Sequence, residues 1–376
     1  MKKRAKIQAH APCPRRLRVS ECALAVLLIP VLAGLGLQAY GISPRTQASP
    51  DEATRERART LIEKAQLALA KNTEEAMREA VEYYAQAAQL DPHSAPAQVG
   101  LAEAYTMLWG FGFMSRQEAL PKAEAAALKA VELDPKLAAA RTTLGALRMR
   151  EWDWAGAEEE FKRAIELEPA NARSYHWYAL FLAAMGRHPE ALAQSRRANE
   201  LEPASPGMMT GLGAIHYFAR DYGQMIRQME ETIALDPQFA PGYDWLGMAY
   251  AQVGKFPESI AAYKKGVELA AGASEVKAGL GHAYGLAGRR VEAKRILAEL
   301  YGLAKQKYVP PVQIAFVHLG LGENDRALEL LEQAYRERSW ELVFIRVEPW
   351  VDNLRSDPRF QDLLRRLNFP PRVPTS

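Results

Sequence analysis

AAARTTLGALRMREWDWAGAEEEFKRAIELEP occupies residues 138–169. Apolar residues recur at helical spacing in each half, the Trp152-Asp153-Trp154 stretch interrupts them, and Pro169 ends the second half. Proline lacks an N–H and disfavours helix in the residue before it, so Leu-Glu-Pro reads as the end of a helix. The same punctuation stands at Leu90-Asp91-Pro92, Leu133-Asp134-Pro135, Leu201-Glu202-Pro203 and Leu235-Asp236-Pro237. After a first interval of 43 residues, every step is 34. A period of 34 is the length of one helix, a turn and a returning helix. Repeats of that kind grow without a single central core.

The residues between the prolines fit one pattern. The unit from Ala138 has Leu144, Gly145, Ala157, Phe161 and Ala164. The unit from Ala240 has Tyr243, Leu246, Gly247, Tyr250, Gly254 and Tyr263. Those from Ala172 (Tyr175, Tyr178, Gly186, Ala191, Ala198) and Ser274 (Leu280, Gly281, Tyr284, Gly288, Ala293) follow it. The unit from Pro206 keeps Leu212 and Gly213 but carries Met225, Met229 and Thr232 in its second helix. Small residues sit where paired helices approach closely, and larger ones fill the gaps between them. On these residues the chain resembles the tetratricopeptide-repeat family. The resemblance implies an all-α fold, a right-handed superhelical solenoid of antiparallel helix pairs whose first helices line a concave groove. At the groove positions of that family stand Met149, Arg150, Arg173, His176, Tyr217, Phe218, Asp244, Met248, Gln252 and His282, joined by Trp177. Aromatic, Met and Arg side chains anchor protein interfaces, so a protein or peptide is the expected partner. Some relatives hold a terminal carboxylate with Lys and Asn, but Thr142, Ala146, Thr210 and Ala214 stand at comparable positions here, which disfavours that ligand.

Working outward, residues 58–92 open the array with Ala80, Tyr84 and Ala87, and residues 308–341 close it with Gly322, Ala327, Leu331 and Ala334, giving eight repeats over 53–341. Nine extra residues near 111–120 enlarge one turn. Residues 342–376 break the period and read as a capping helix and tail, since a solenoid end must hide its last apolar face. The region from about 53 to 370 is similar to repeat domains attached to some bacterial membrane-bound transcriptional regulators, nucleotide cyclases and protein kinases. Residues 1–21 are too short for any of those effectors, so no output activity follows from the likeness.

Residues 22–40 (CALAVLLIPVLAGLGLQAY) carry no charge, and about 20 apolar residues span a bilayer core as a helix. Seven cations precede the stretch and Arg45 alone follows before Asp51. The positive-inside rule then leaves 1–21 as a cytoplasmic basic head, makes 22–40 a transmembrane signal-anchor helix and 41–52 a flexible linker, and exports the repeats. A bacterial inner-membrane protein with periplasmic repeats is expected. The alternative is a secreted periplasmic form after signal cleavage. The formal charge of the whole chain is +3, but removing the seven early cations from 48 Lys and Arg, and Glu21 from 45 Asp and Glu, leaves 41 against 44. A mildly acidic repeat region argues against nucleic acid. Cys13 lies in the head and Cys22 opens the apolar span, so the repeats have neither a disulfide framework nor a cysteine metal site.

No catalytic constellation emerges. No two of His10, His93, His176, His188, His216, His282 and His318 stand three or four residues apart, so no helix offers a paired metal face. His216 and His318 fall at packing positions, and Trp152 and Trp154 read as structural. GLGHAYG at 279–285 is the repeat's own small-residue site rather than a nucleotide loop, with no strand before it. No enzyme activity, cofactor or metal is expected. The reading is a membrane-anchored scaffold for envelope assembly, secretion or sensing; the alternative is the ligand-sensing part of a transmembrane signalling system.

Overall fold

The computed structural model describes residues 50–71, 73–270 and 273–371. The basic head, the apolar span 22–40 and most of the linker lie outside them. Among the described residues no helix is long and apolar enough to cross a membrane.

The helices are α1 (Pro50–Leu69), α2 (Glu74–Leu90), α3 (Ala95–Gly110), α4 (Arg116–Leu133), α5 (Ala138–Arg150), α6 (Trp154–Leu167), α7 (Ala172–Ala184), α8 (His188–Leu201) and α9 (Pro206–Phe218). They continue as α10 (Tyr222–Leu235), α11 (Ala240–Gln252), α12 (Phe256–Leu269), α13 (Ser274–Leu286), α14 (Arg290–Ala304), α15 (Pro311–Gly320) and α16 (Asn324–Arg336). The first begins inside the stretch expected as linker. Successive helices pair into eight hairpins. Two 3₁₀ turns, Trp340–Phe344 and Pro349–Leu354, and α17 (Pro358–Arg366) follow.

The recurrent Leu-Asp-Pro acquires a local mechanism. Asp91, Asp134 and Asp236 each end a second helix, and each carboxylate accepts the backbone N–H two residues on, from His93 at 3.1 Å, Lys136 at 2.9 Å and Gln238 at 3.0 Å. The intervening Pro has no N–H to offer, so the Asp side chain completes the turn. Three of the following first helices, α3, α7 and α9, are capped by Ser94, Asn171 and Ser205, which accept from the N–H three residues later.

From the α5–α6 hairpin to the α15–α16 hairpin each turn holds a left-handed residue, at 34-residue steps: Trp152, Gly186, Arg220, Gly254, Gly288 and Gly322, with φ from 64° to 76°. Glycine adopts this conformation without a Cβ penalty. Trp152 and Arg220 do not, which marks them for explanation.

First helices α3, α5, α7, α9, α11 and α13 each also touch the next first helix, so they line the inside of the curve. Close packing follows the small residues. Tyr263 of α12 is fully buried with its ring between Gly247 of its own hairpin and Gly279 of the next; a Cβ on Gly247 would lie 2.7 Å from the ring, and one on Gly279 would collide with it. The last hairpin departs from the period. There α15 packs chiefly on α13 and little on α14, because Gly285 and Gly320 let the two backbones meet directly.

Candidate functional site

The inner wall formed by the first helices is partly occupied by the chain itself. Residues 340–354, expected as part of an end cap, run back along it as a strap. Phe344 stacks on Phe218 of α9 at 5.1 Å, and Trp350 stacks on His282 of α13 at 4.3 Å and meets Phe316 of α15 edge-on at 4.2 Å. Between them Glu348 accepts the Tyr217 hydroxyl at 2.7 Å. Leu342, Val343, Ile345, Val347, Val351 and Leu354 are buried. A cap with one polar face cannot accommodate that many apolar side chains; a second apolar wall can. Arg355 clamps the strap by donating to the Arg346 and Glu348 carbonyls at 2.8 and 3.0 Å.

The two left-handed non-glycine residues of the hairpin turns both reach toward this C-terminal region. Trp152 stacks on Tyr335 at 5.3 Å with the Arg338 guanidinium 4.6 Å over its ring, and Arg220 pairs with Asp352 at 2.8 Å. Their backbone strain aims side chains that a glycine could not supply. Beyond the strap, α17 ties α16 to the α5–α6 turn. Arg366 pairs with Glu332, while Trp154 donates Nε1–H to the Leu367 carbonyl at 3.1 Å and stacks on Phe369. The enlarged α3–α4 turn also finds a neighbour across the array, with Lys307 5.8 Å over the Phe113 ring.

The expected groove residues divide into two rows. Those at the ends of the first helices face the strap or the core. Tyr217, Phe218 and His282 make the contacts given above, and Met149 and Met248 are buried in the core. Gln252, at the end of α11, is half-buried. Arg150 sits among three indoles, 4.8 Å from Trp340 and 5.8 Å from both Trp109 and Trp177. Burial lowers its guanidinium to about 10 against the opposing pull of Glu341. Burial also holds His176 and His282 down to about 4, leaving both neutral. The His282 Nδ1–H donates to the Phe316 carbonyl at 2.7 Å. His216 and His318 are buried, the latter 2.7 Å from Glu323.

The second row lies near the starts of the first helices. Arg173 pairs with Glu103 of α3 at 2.6 Å and keeps 43% of its side chain exposed. Asp244 lies on the wall, and Glu275 of α13, absent from the sequence expectation, is exposed. Burial, then the neighbouring Glu275, pushes the Asp244 carboxyl well up. Glu341 and Glu348 of the strap are pushed up by burial to about 8 and about 7. Periodicity could not find these two, because the strap has no repeat; the apolar density of WELVFIRVEPW at 340–350 was the available signal. Among the described residues no three His, Cys, Asp or Glu side chains are grouped to hold a metal ion.

Two models described as tetratricopeptide repeat match residues 160–193 and 240–272. Human tetratricopeptide repeat protein 6 is 24% identical over 191 residues, 51% of this chain and 35% of that protein. The wheat (Triticum aestivum) Hsp70-Hsp90 organizing protein is 33% identical over 122 residues, 32% of this chain and 21% of its own length. The chain therefore spans about a third or less of these curated relatives. Among solved structures, the APC/C hetero-tetramer Cut9-Hcn1 superposes with a TM-score of 0.56 at 16% identity, over 82% of this chain and 55% of that one. That likeness is one of fold. The period, the hairpins and the matched models agree: the chain is a tetratricopeptide-repeat protein.

Proposed function

We propose that this protein is a non-enzymatic scaffold, anchored in a membrane through residues 22–40, that binds a protein or peptide on the row of its inner wall left open by the strap. The observation that carries this reading is the strap itself: the wall already holds one non-repeating segment through aromatic stacking and the Tyr217–Glu348 hydrogen bond. Aromatic pockets ringed by polar groups anchor interfaces in the same way. With the helix-end row taken, a partner meets the helix-start row, where Arg173 and Glu275 remain reachable. A scaffold role also accords with the wheat relative, whose name says that it organizes Hsp70 and Hsp90. Envelope assembly, secretion or sensing on the outer side of an inner membrane is the setting we infer from the charge around residues 22–40.

Photocrosslinking in cells tests this. A crosslinker at Arg173 should yield protein adducts, while one at Tyr217, beneath the strap, should yield only the intramolecular product. Adducts from Tyr217 but none from Arg173 would reverse the assignment of the rows. Absence of protein adducts from both would refute the scaffold.

A further inference from the structure

We propose that the inner wall between α11 and α13 binds an alkylammonium group, held by the Asp244 and Glu275 carboxylates with the Tyr263 hydroxyl oxygen as a third acceptor. The geometry starts from the Tyr263 ring wedged between Gly247 and Gly279. Gly247 stands three residues after Asp244, and Gly279 four after Glu275. On a helix these spacings share a face, so both carboxyls occupy the wall where the ring edge emerges. The hydroxyl lies at that edge, since a Cβ on Gly279 would stand 2.9 Å from it.

Asp244 and Glu275 stand near enough to bear on each other and on the Tyr263 hydroxyl. Tyr263 is 0% exposed, and its hydroxyl has no hydrogen-bond partner among the described residues. Asp244 and Glu275 are likewise without an ion pair or hydrogen bond; Lys277, two residues after Glu275, pairs with Glu299 at 3.3 Å, and Arg173 of α7 pairs with Glu103. On the strap side, burial raises the Glu341 and Glu348 carboxyls. Glu341 is felt by Arg150 alone among the cations that bear on it and is pushed up further by Glu275, while Glu348 feels Arg220.

Buried polar groups are ordinarily paired, and adjacent carboxyls disfavour each other's ionisation. Burial, then Glu275, raises the Asp244 carboxyl. A guest bearing a positive charge and several N–H donors satisfies all three acceptors at once. No metal-holding group of side chains stands among the described residues, and a primary ammonium brings three donors on one centre. Glu275, open to solvent, provides the entry.

The head group has two sources, a free alkylamine or a lysine side chain of a peptide. Calorimetric titration of the purified full chain, at constant ionic strength, uses n-butylammonium, N-acetyl-Gly-Lys-Gly-amide and uncharged n-butanol. Saturable binding of either cation without binding of butanol supports the site, and the tighter of the two identifies the source. Glu275→Gln, a change on an exposed side chain that leaves the fold intact, should weaken binding about tenfold or more, a difference of 1.4 kcal/mol. Tyr263→Phe should weaken it by a smaller factor. No saturation by either cation up to about 20 mM, or equal affinity in Glu275→Gln, overturns the proposal. Because it concerns a single charged group, its failure would leave partner capture at Arg173 untouched.

Discussion

Trp350→Ala is the sharpest test of the strap. Trp350 is 7% exposed, with one face on His282 and an edge against Phe316. A buried indole removes about 150–250 Å² from water, which at about 25 cal/mol per Å² corresponds to about 4–6 kcal/mol. Part of that is offset, since Nε1 is buried without a hydrogen-bond partner among the described residues and its removal recovers about 1–3 kcal/mol of desolvation. The net expectation is a loss of about 3 kcal/mol, within the usual range for a buried Trp to Ala change. In a repeat array the loss falls on neighbouring elements rather than on the whole. Hydrogen exchange followed by mass spectrometry should therefore show residues 340–354 exchanging about 100-fold faster, roughly 10-fold per 1.4 kcal/mol, with α1–α4 unchanged. Trypsin should cut after Arg346 and Arg355 at a correspondingly raised rate. Exchange in 340–354 within about threefold of the parent protein would mean that the strap does not rest on this contact, and the description of the inner wall would be wrong.

Stability should fall between pH 6.5 and 8, by about 2 kcal/mol in urea melts. Glu341 and Glu348 are raised to about 8 and about 7 by burial, so their contribution is complete below their unfolded values and lost as pH rises through the folded ones; Glu348→Gln should flatten part of the slope. His176 and His282, lowered by burial to about 4, act in the opposite sense, but only below about pH 6.5, where their unfolded forms begin to take up protons. Gly279→Ala should cost about 1–3 kcal/mol by overpacking, because the added methyl meets the Tyr263 ring; an unchanged melting temperature would show that the ring can move aside. Arg220→Gly exchanges an exposed pair with Asp352, worth under about 1 kcal/mol, for relief of a left-handed backbone. Global stability should stay within about 1 kcal/mol of the parent while exchange near residues 349–354 increases; no such increase would make the pair incidental.

The 34-residue step was legible because it is local. Leu-Asp-Pro, the facing glycines and the caps each act within one hairpin or between adjacent ones, and from them the helix order through α14 follows. The left-handed turns were half legible: Gly186, Gly254, Gly288 and Gly322 keep the period, whereas Trp152 and Arg220 break it for the sake of contacts with residues more than 100 positions away. The strap was not legible as a lining, since no periodic signal says where a non-repeating segment lies. Its burial in turn decides what kind of element it is. Six aliphatic side chains, Leu342, Val343, Ile345, Val347, Val351 and Leu354, are hidden, at about 1.5–3 kcal/mol each. A partner binding at micromolar strength brings about 8 kcal/mol, less than those side chains alone represent before Trp350 is added. The strap therefore behaves as part of the fold rather than as a plug to be expelled. The proposed partner site is then the other row, where Arg173 and Glu275 remain reachable without the apolar cover that the strap gives to Tyr217, Phe218 and His282.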